Sequence, residues 1–153
     1  MRAAYIEEHG GPEVLRVGER PEPEPGPADA LVEVAACGLN HLDIWVRLGG
    51  KRTFPLPIIP GSDPAGTVLE APAGSGLEPG DEVVIYPCEG HGDEQALQSG
   101  DDQLCPDFRI YGAARDGGMA ERIAVPAANC FAKPEALSMQ EAAAVSINYI
   151  TAW

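Results

Sequence analysis

The stretch ACGLNHLDIWVRLGG, residues 36 to 50, holds Cys37, His41 and Asp43 within seven positions. Thiolate, imidazole and carboxylate are the side-chain donors that hold zinc. A catalytic zinc needs three such ligands and an open fourth position, and the ion then polarises a carbonyl or alcohol oxygen. The same residues also read without a metal. Cys37 ends an apolar run, where a thiol behaves as a small hydrophobe. Asn40 can cap a helix, Asp43 suits its first turn, and Gly49-Gly50 can end it. Asn40 also carries an amide able to donate to a carbonyl oxygen in a pocket, a role compatible with capping.

A second set of donors lies in the polar, Gly-rich, poorly periodic run from Cys88 to Gly118. Cys88, His91, Glu94 and Cys105 could make a mixed structural zinc site, since all three side-chain types bind this ion. The competing reading is a solvated loop, which is what such composition usually forms.

The elements that must position these groups are short. MRAAYIEE and EVLRVGER read as strands on either side of a Gly11-Pro12 turn, and PEPEPGP as a stiff extended connector. ALVEVAACGL is a buried strand by its Val, Leu and Ala content, and NHLDIWVRLGG a short helix. AGTVLEA and EVVIYP are strands with a Pro79-Gly80 corner between them, and MAERIAVPAANCFAKP supplies two more. LSMQEAAAVSINYITAW reads as one helix opened by a Ser138–Glu141 capping box. Six to eight short strands at close spacing predict a mainly β fold, a small antiparallel barrel or sandwich.

Length and composition bound the function. The 153 residues fit one domain with a core of its own. Eighteen Gly and fifteen Pro favour turns and strands over a helical bundle. With 24 acidic residues against 10 basic ones, the formal charge is −14. Such a surface repels phosphate backbones and anionic lipid, which argues against nucleic-acid and membrane partners. No apolar run approaches the roughly 20 residues that span a bilayer, and MRAAYIEEHGG has no apolar leader core. The expected location is cytoplasmic, where the four cysteines are thiols or metal ligands rather than disulfides.

Five stretches together carry a resemblance: EEHGGPEVLRVGERPEPEPGPADALVEVAACGLNHLDIWVRLG, PIIPGSDPAGTVLEA, EPGDEVVIY, DGGMAERIAVPA and LSMQEAAAVSINYITAW. In this order they resemble the medium-chain dehydrogenase/reductase family, which includes zinc alcohol dehydrogenases and zinc-independent quinone reductases. The resemblance implies a GroES-like, partly open antiparallel barrel over residues 1–137. It also implies a helix over 138–153 leading towards a nucleotide-binding domain. No G-x-G-x-x-G follows a strand in this chain, and GAARDGG has the wrong context. The chain is therefore expected to be the catalytic part of a longer NAD- or NADP-dependent oxidoreductase, inactive by itself. The full-length enzyme is expected to be a homo-oligomer acting on a small molecule.

The resemblance also bears on the metal. Where zinc-dependent members carry a Cys before a His or Arg, this chain has Asn40 before His41. Where they carry G-H-E it has Gly61-Ser62-Asp63, and the third ligand position falls near Ile147, which is apolar. Four-cysteine lobes of relatives retain only Cys105 here. Zinc is thus not expected, and the reading is a zinc-independent reductase of quinones or other α,β-unsaturated carbonyls. Such substrates are already electrophilic, and placing them under aimed hydrogen-bond donors can suffice. The resemblance assigns Asn40, His41 and Asp63 to catalysis. It places Asn40, Trp45 and Thr151 at the nicotinamide, and Ser62 and Trp45 in the substrate pocket. The alternatives are a zinc alcohol dehydrogenase with altered ligands and a GroES-like binding module without chemistry.

Overall fold

A computed structural model describes residues 1–50, 54–90 and 94–152. The elements are short and mostly strands. They are β1 (Arg2–Tyr5), β2 (Arg16–Glu19), β3 (Asp29–Gly38), α1 (His41–Leu48), β4 (Asp63–Glu70), β5 (Glu82–Ile85), β6 (Cys88–Glu89), α2 (Glu94–Ser99), β7 (Arg109–Ile110), β8 (Arg122–Pro126), β9 (Cys130–Ala132), α3 (Met139–Ala143) and α4 (Ser146–Ala152). A five-stranded sheet in the order β8-β3-β4-β5-β9 forms the body, and every pairing in it is antiparallel. Strands β1 and β2 make one small sheet, and β6 and β7 another. The mainly β, partly open antiparallel architecture expected from the sequence is the one observed.

The apolar alternation along these strands explains the core. Val32, Val68, Val83, Ile85, Ile123 and Val125 point to one side and form the main cluster with Tyr111 and Cys130. Branched side chains on a pleated surface pack well there. Strand β3 pairs with β8 on one edge and with β4 on the other, and its ladder with β4 carries register shifts at Leu31/Val32 and Val34/Ala36. A second cluster of Ile6, Val46, Ile58 and Ala113 seats α1 against the N-terminal segment.

Two expectations are corrected. The Cys88–Gly118 run is not loop throughout: it contains the β6–β7 pair, the helix α2 and a 3₁₀ turn at Asp102–Leu104. Tertiary contact supplies what its weak periodicity does not show. Glu89 on β6 accepts hydrogen bonds from Arg115 Nη1 (2.9 Å) and the buried Tyr111 hydroxyl (3.1 Å). The terminal helix is likewise not continuous. The Ser138–Glu141 capping box opens α3, but Ala144 adopts φ −88° and ψ −5° and α4 starts afresh at Ser146. Ala142 and Ala143 are buried against Ala65 of the sheet, so α3 is held by packing. Among the described residues, no helix is long and apolar enough to cross a membrane.

The contact of α3 with the sheet requires Gly38. A Cβ there would stand 2.4 Å from the carbonyl oxygen of Ala143, a backbone atom with no room to retreat. We expect Gly38→Ala to lower stability by about 2 kcal/mol, the usual scale of an overpacked buried contact. Chemical denaturation of both forms would measure it.

Candidate active site

The site is built at the junction of β3, β4, α1 and α4. Strand β3 ends at Gly38, paired with Asp63 at the start of β4. Two residues on, Asn40 sits at the N-cap of α1 with φ −120° and ψ 160°. Its backbone N–H donates to Asp43 Oδ2 (2.7 Å), the arm of a capping box. The other oxygen of Asp43 accepts from Gly61 N–H (2.9 Å), tying the helix start to the loop before β4. Asp43 is thus the helix-start residue its sequence context suggests.

The Asn40 side chain turns elsewhere. Its Nδ2 donates to Asp63 Oδ2 (2.9 Å), and Asp63 Oδ1 accepts from the backbone N–H of Ile147 (3.0 Å) in the first turn of α4. Asp63 is only 1 % exposed, so it meets no solvent and spends its acceptors on these two donors. The resemblance puts zinc ligands at Asn40, Ser62 and Ile147, and the Asp63 carboxylate draws the first and last of these together. Ser62 does not join them. It is fully buried and its hydroxyl donates to the Tyr111 carbonyl (2.8 Å), so it braces the loop behind the cleft rather than lining it.

Beside this junction opens a cleft of about 760 Å³. Asn40, His41 and Trp45 form one wall, and Ile147, Asn148 and Thr151 the other. Leu42, Phe54 and Ile110 make its apolar floor. Trp45 is exposed rather than packed in the core, and its ring lies 5.0 Å from that of His41. The residues Asn40, His41, Trp45 and Thr151 named from the sequence therefore meet in one place, while Asp63 and Ser62 lie behind the wall. Asn148 was legible: it lies three residues before Thr151, one turn away on the same helix face. Phe54 comes from a loop and Ile110 from β7, both distant in sequence, and nothing in their local sequence marks them.

Metal donors do not gather here. Cys37 is half-buried at the end of β3, and its thiol faces its own neighbour's carbonyl at 3.7 Å. Burial, with the Asp43 charge added, pushes this thiol up to about 12. Among the described residues no group of three or more His, Cys, Asp or Glu is placed to hold a metal ion. In the lobe, Cys88 and Cys105 are buried; His91 and the Glu94 side chain lie outside what the structure describes.

The fold and site define a class of protein, and known proteins agree. The profile of the alcohol dehydrogenase GroES-like domain matches residues 26–135, and the chain belongs to that family. A crystal structure of an NAD-dependent alcohol dehydrogenase superposes with a TM-score of 0.94 at 45% identity, over 100% of this chain and 45% of that one. A cobalt- and zinc-bound thermostable alcohol dehydrogenase from Pyrobaculum aerophilum gives 0.88 at 38% identity, over 100% and 46%. The quinone oxidoreductase of Pongo abelii is 33% identical over 100% of this chain and 40% of its own length. The chain spans between about a third and about half of the length of the relatives it matches (32% to 46%).

Two outcomes follow from the electrostatics. Alkylation needs thiolate, so Cys37 (about 12) and Cys130, pushed by burial to about 11, should resist iodoacetamide in the folded protein. Both should label once it is unfolded, as peptide mass spectrometry would show. Burial also raises the Asp43 and Asp63 carboxyls above their ordinary range. A raised folded-state value gives stability that is present below the unfolded value and lost as pH rises through the folded one. Asp43→Asn removes that loss at one site. Its deficit in melting temperature against the parent should therefore shrink as pH is raised from about 4 to about 7.

Proposed function

We propose that this chain is the substrate-facing part of an NAD(P)-dependent oxidoreductase that reduces quinones or α,β-unsaturated carbonyls without zinc. The observation that carries the reading is the chemistry of the three positions where the resemblance puts zinc ligands. Asn40 offers an amide N–H, Ser62 a hydroxyl already engaged with Tyr111, and Ile147 a backbone N–H bonded to Asp63. None supplies the thiolate or imidazole that catalytic zinc takes, so a zinc ion does not fit them. What they leave in the cleft is hydrogen-bond donation, which an already electrophilic carbonyl can use.

A nicotinamide fits the cleft by the same test: an apolar floor for a flat ring, with Asn40, Asn148 and Thr151 to hold an amide group. When bound, NADH or NADPH supplies the hydride; most of its contacts would come from a nucleotide-binding domain. The residues of this chain then do the rest. Asn40 Nδ2 donates to the substrate oxygen as negative charge builds there. Leu42, Phe54 and Ile110 exclude water and hold the carbon skeleton over the ring. Trp45 and the exposed His41 edge the mouth of the cleft, where His41 can hand a proton to the reduced oxygen.

The zinc-bearing relative from Pyrobaculum aerophilum favours a second reading, an alcohol dehydrogenase with altered ligands. Metal content and chelator sensitivity separate the two. With a nucleotide-binding domain attached, the enzyme should reduce a quinone with NADH or NADPH after exhaustive chelation. Asn40→Ala should cost about 100-fold in kcat, the scale of one lost oxyanion donor. The 153-residue chain alone should not turn over. Activity lost with the chelator and restored by zinc would establish the alternative.

A further inference from the structure

A carboxyl group buried to 1 % exposure needs a reason. Among the described residues Asp63 has no cation against it: its oxygens accept from Asn40 Nδ2 and from Ile147 N–H, each at hydrogen-bond distance. These two donors belong to opposite walls of the cleft. Asn40 precedes α1, which carries His41 and Trp45; Ile147 begins the face of α4 that carries Asn148 and Thr151. The contrast between the two helices of the C-terminal segment matters here. Helix α3 is packed through Ala142 and Ala143, whereas α4 has no buried residue.

We infer that Asp63 is a positioning residue that sets both walls of the reactive cleft at once, fixing the plane of the Asn40 amide and the seat of α4. The chemistry is selective. A carboxylate only accepts, so Asn40 turns Nδ2 rather than Oδ1 to Asp63 Oδ2, and the amide is held against a flip. One N–H of that amide is taken, and the second is the donor left for a substrate oxygen. Accepting a hydrogen bond from the first polarises the amide. An asparagine at 63 could not do the same. Its oxygen can meet one of the two donors, but its own N–H₂ would then face the other, donor against donor. A carboxylate is the group of this size with acceptors at both ends.

This inference rests on the proposed reduction for its functional meaning, so its test has an arm that does not. In the ¹⁵N-labelled 153-residue chain, Asp63→Asn should return the two proton shifts of the Asn40 side-chain amide to those of a free asparagine amide. It should also speed exchange of the Ile147 N–H by at least about tenfold, while the β3 and β8 amides keep their protection. Unchanged Asn40 and Ile147 signals would overturn the inference. If Asp63→Asn does not fold, Ile147→Pro withdraws one donor and leaves the charge. Proline is tolerated in the first turn of a helix. It should loosen Asn148 and Thr151 and spare Asn40, and no change at Asn148 and Thr151 would overturn the α4 half. In the enzyme joined to its nucleotide-binding domain, Asp63→Asn should lower kcat about tenfold or more with KM little changed. Paired with Asn40→Ala it should add nothing further, as for residues acting through one group. Multiplicative losses would overturn the coupling to Asn40. If no reduction is found at all, the proposed function fails, while the nuclear magnetic resonance arm still decides the positioning role.

Discussion

Burying a carboxylate strips it of water, and the loss is recovered only if donors are fixed around it. At Asp63 those donors come from a loop ahead of α1 and from the first turn of α4, segments 23 and 84 residues away in sequence. The sheet makes that meeting possible. The pairing of Gly38 with Asp63 brings the ends of β3 and β4 side by side, and the bare Gly38 lets α3 come down onto the sheet. From there the chain reaches Ile147 within hydrogen-bond distance. Asp43 completes the frame by holding Asn40 and Gly61 through backbone N–H groups. Two carboxylates thus do with hydrogen bonds what a metal ion does with coordinate bonds: draw separate strands and helices to one point.

The acidic character of the chain and its hydrogen-bonded site belong to different scales. The formal charge of −14 is spread over exposed carboxylates and bears on association and solubility. The two carboxylates of the site are desolvated, with their affinity for protons raised by that environment. Surface charge alone therefore says little about what the cleft recognises. The cleft itself is mostly apolar, with amide and hydroxyl groups at its edges.

Much of this was legible in the sequence where the signal is local. The strands follow from alternating Val, Leu and Ile, and Ser138 with Glu141 marks the start of α3. Asn40 and Asp43 mark the start of α1. What was not legible depends on distant partners. The run through Ala142, Ala143 and Ala144 reads as unbroken helix because alanine propagates helices. The break arises because α3 must stay on Ala65 while Ile147 turns to Asp63. Ser62 reads as a pocket hydroxyl because its neighbours match a pocket loop, and only the fold reveals that its hydroxyl donates to the Tyr111 carbonyl. Helix α2 was missed because a polar, glycine-flanked segment has no apolar stripe to announce it.

The absence of buried side chains in α4 bears on how such a domain can diversify. A helix seated by packing resists change, because each substitution on its inner face opens or fills a cavity. Helix α4 is tied to Asp63 through a backbone N–H and buries no side chain against this sheet, so the sheet sets no such constraint on it. Asn148, Tyr149 and Ile150 can vary in size and polarity while Ile147 N–H still meets Asp63, so the far wall of the cleft can be rewritten without disturbing the barrel beneath. The domain thus separates a fixed foundation from a variable face, joined by a contact that reads the backbone and ignores side-chain identity.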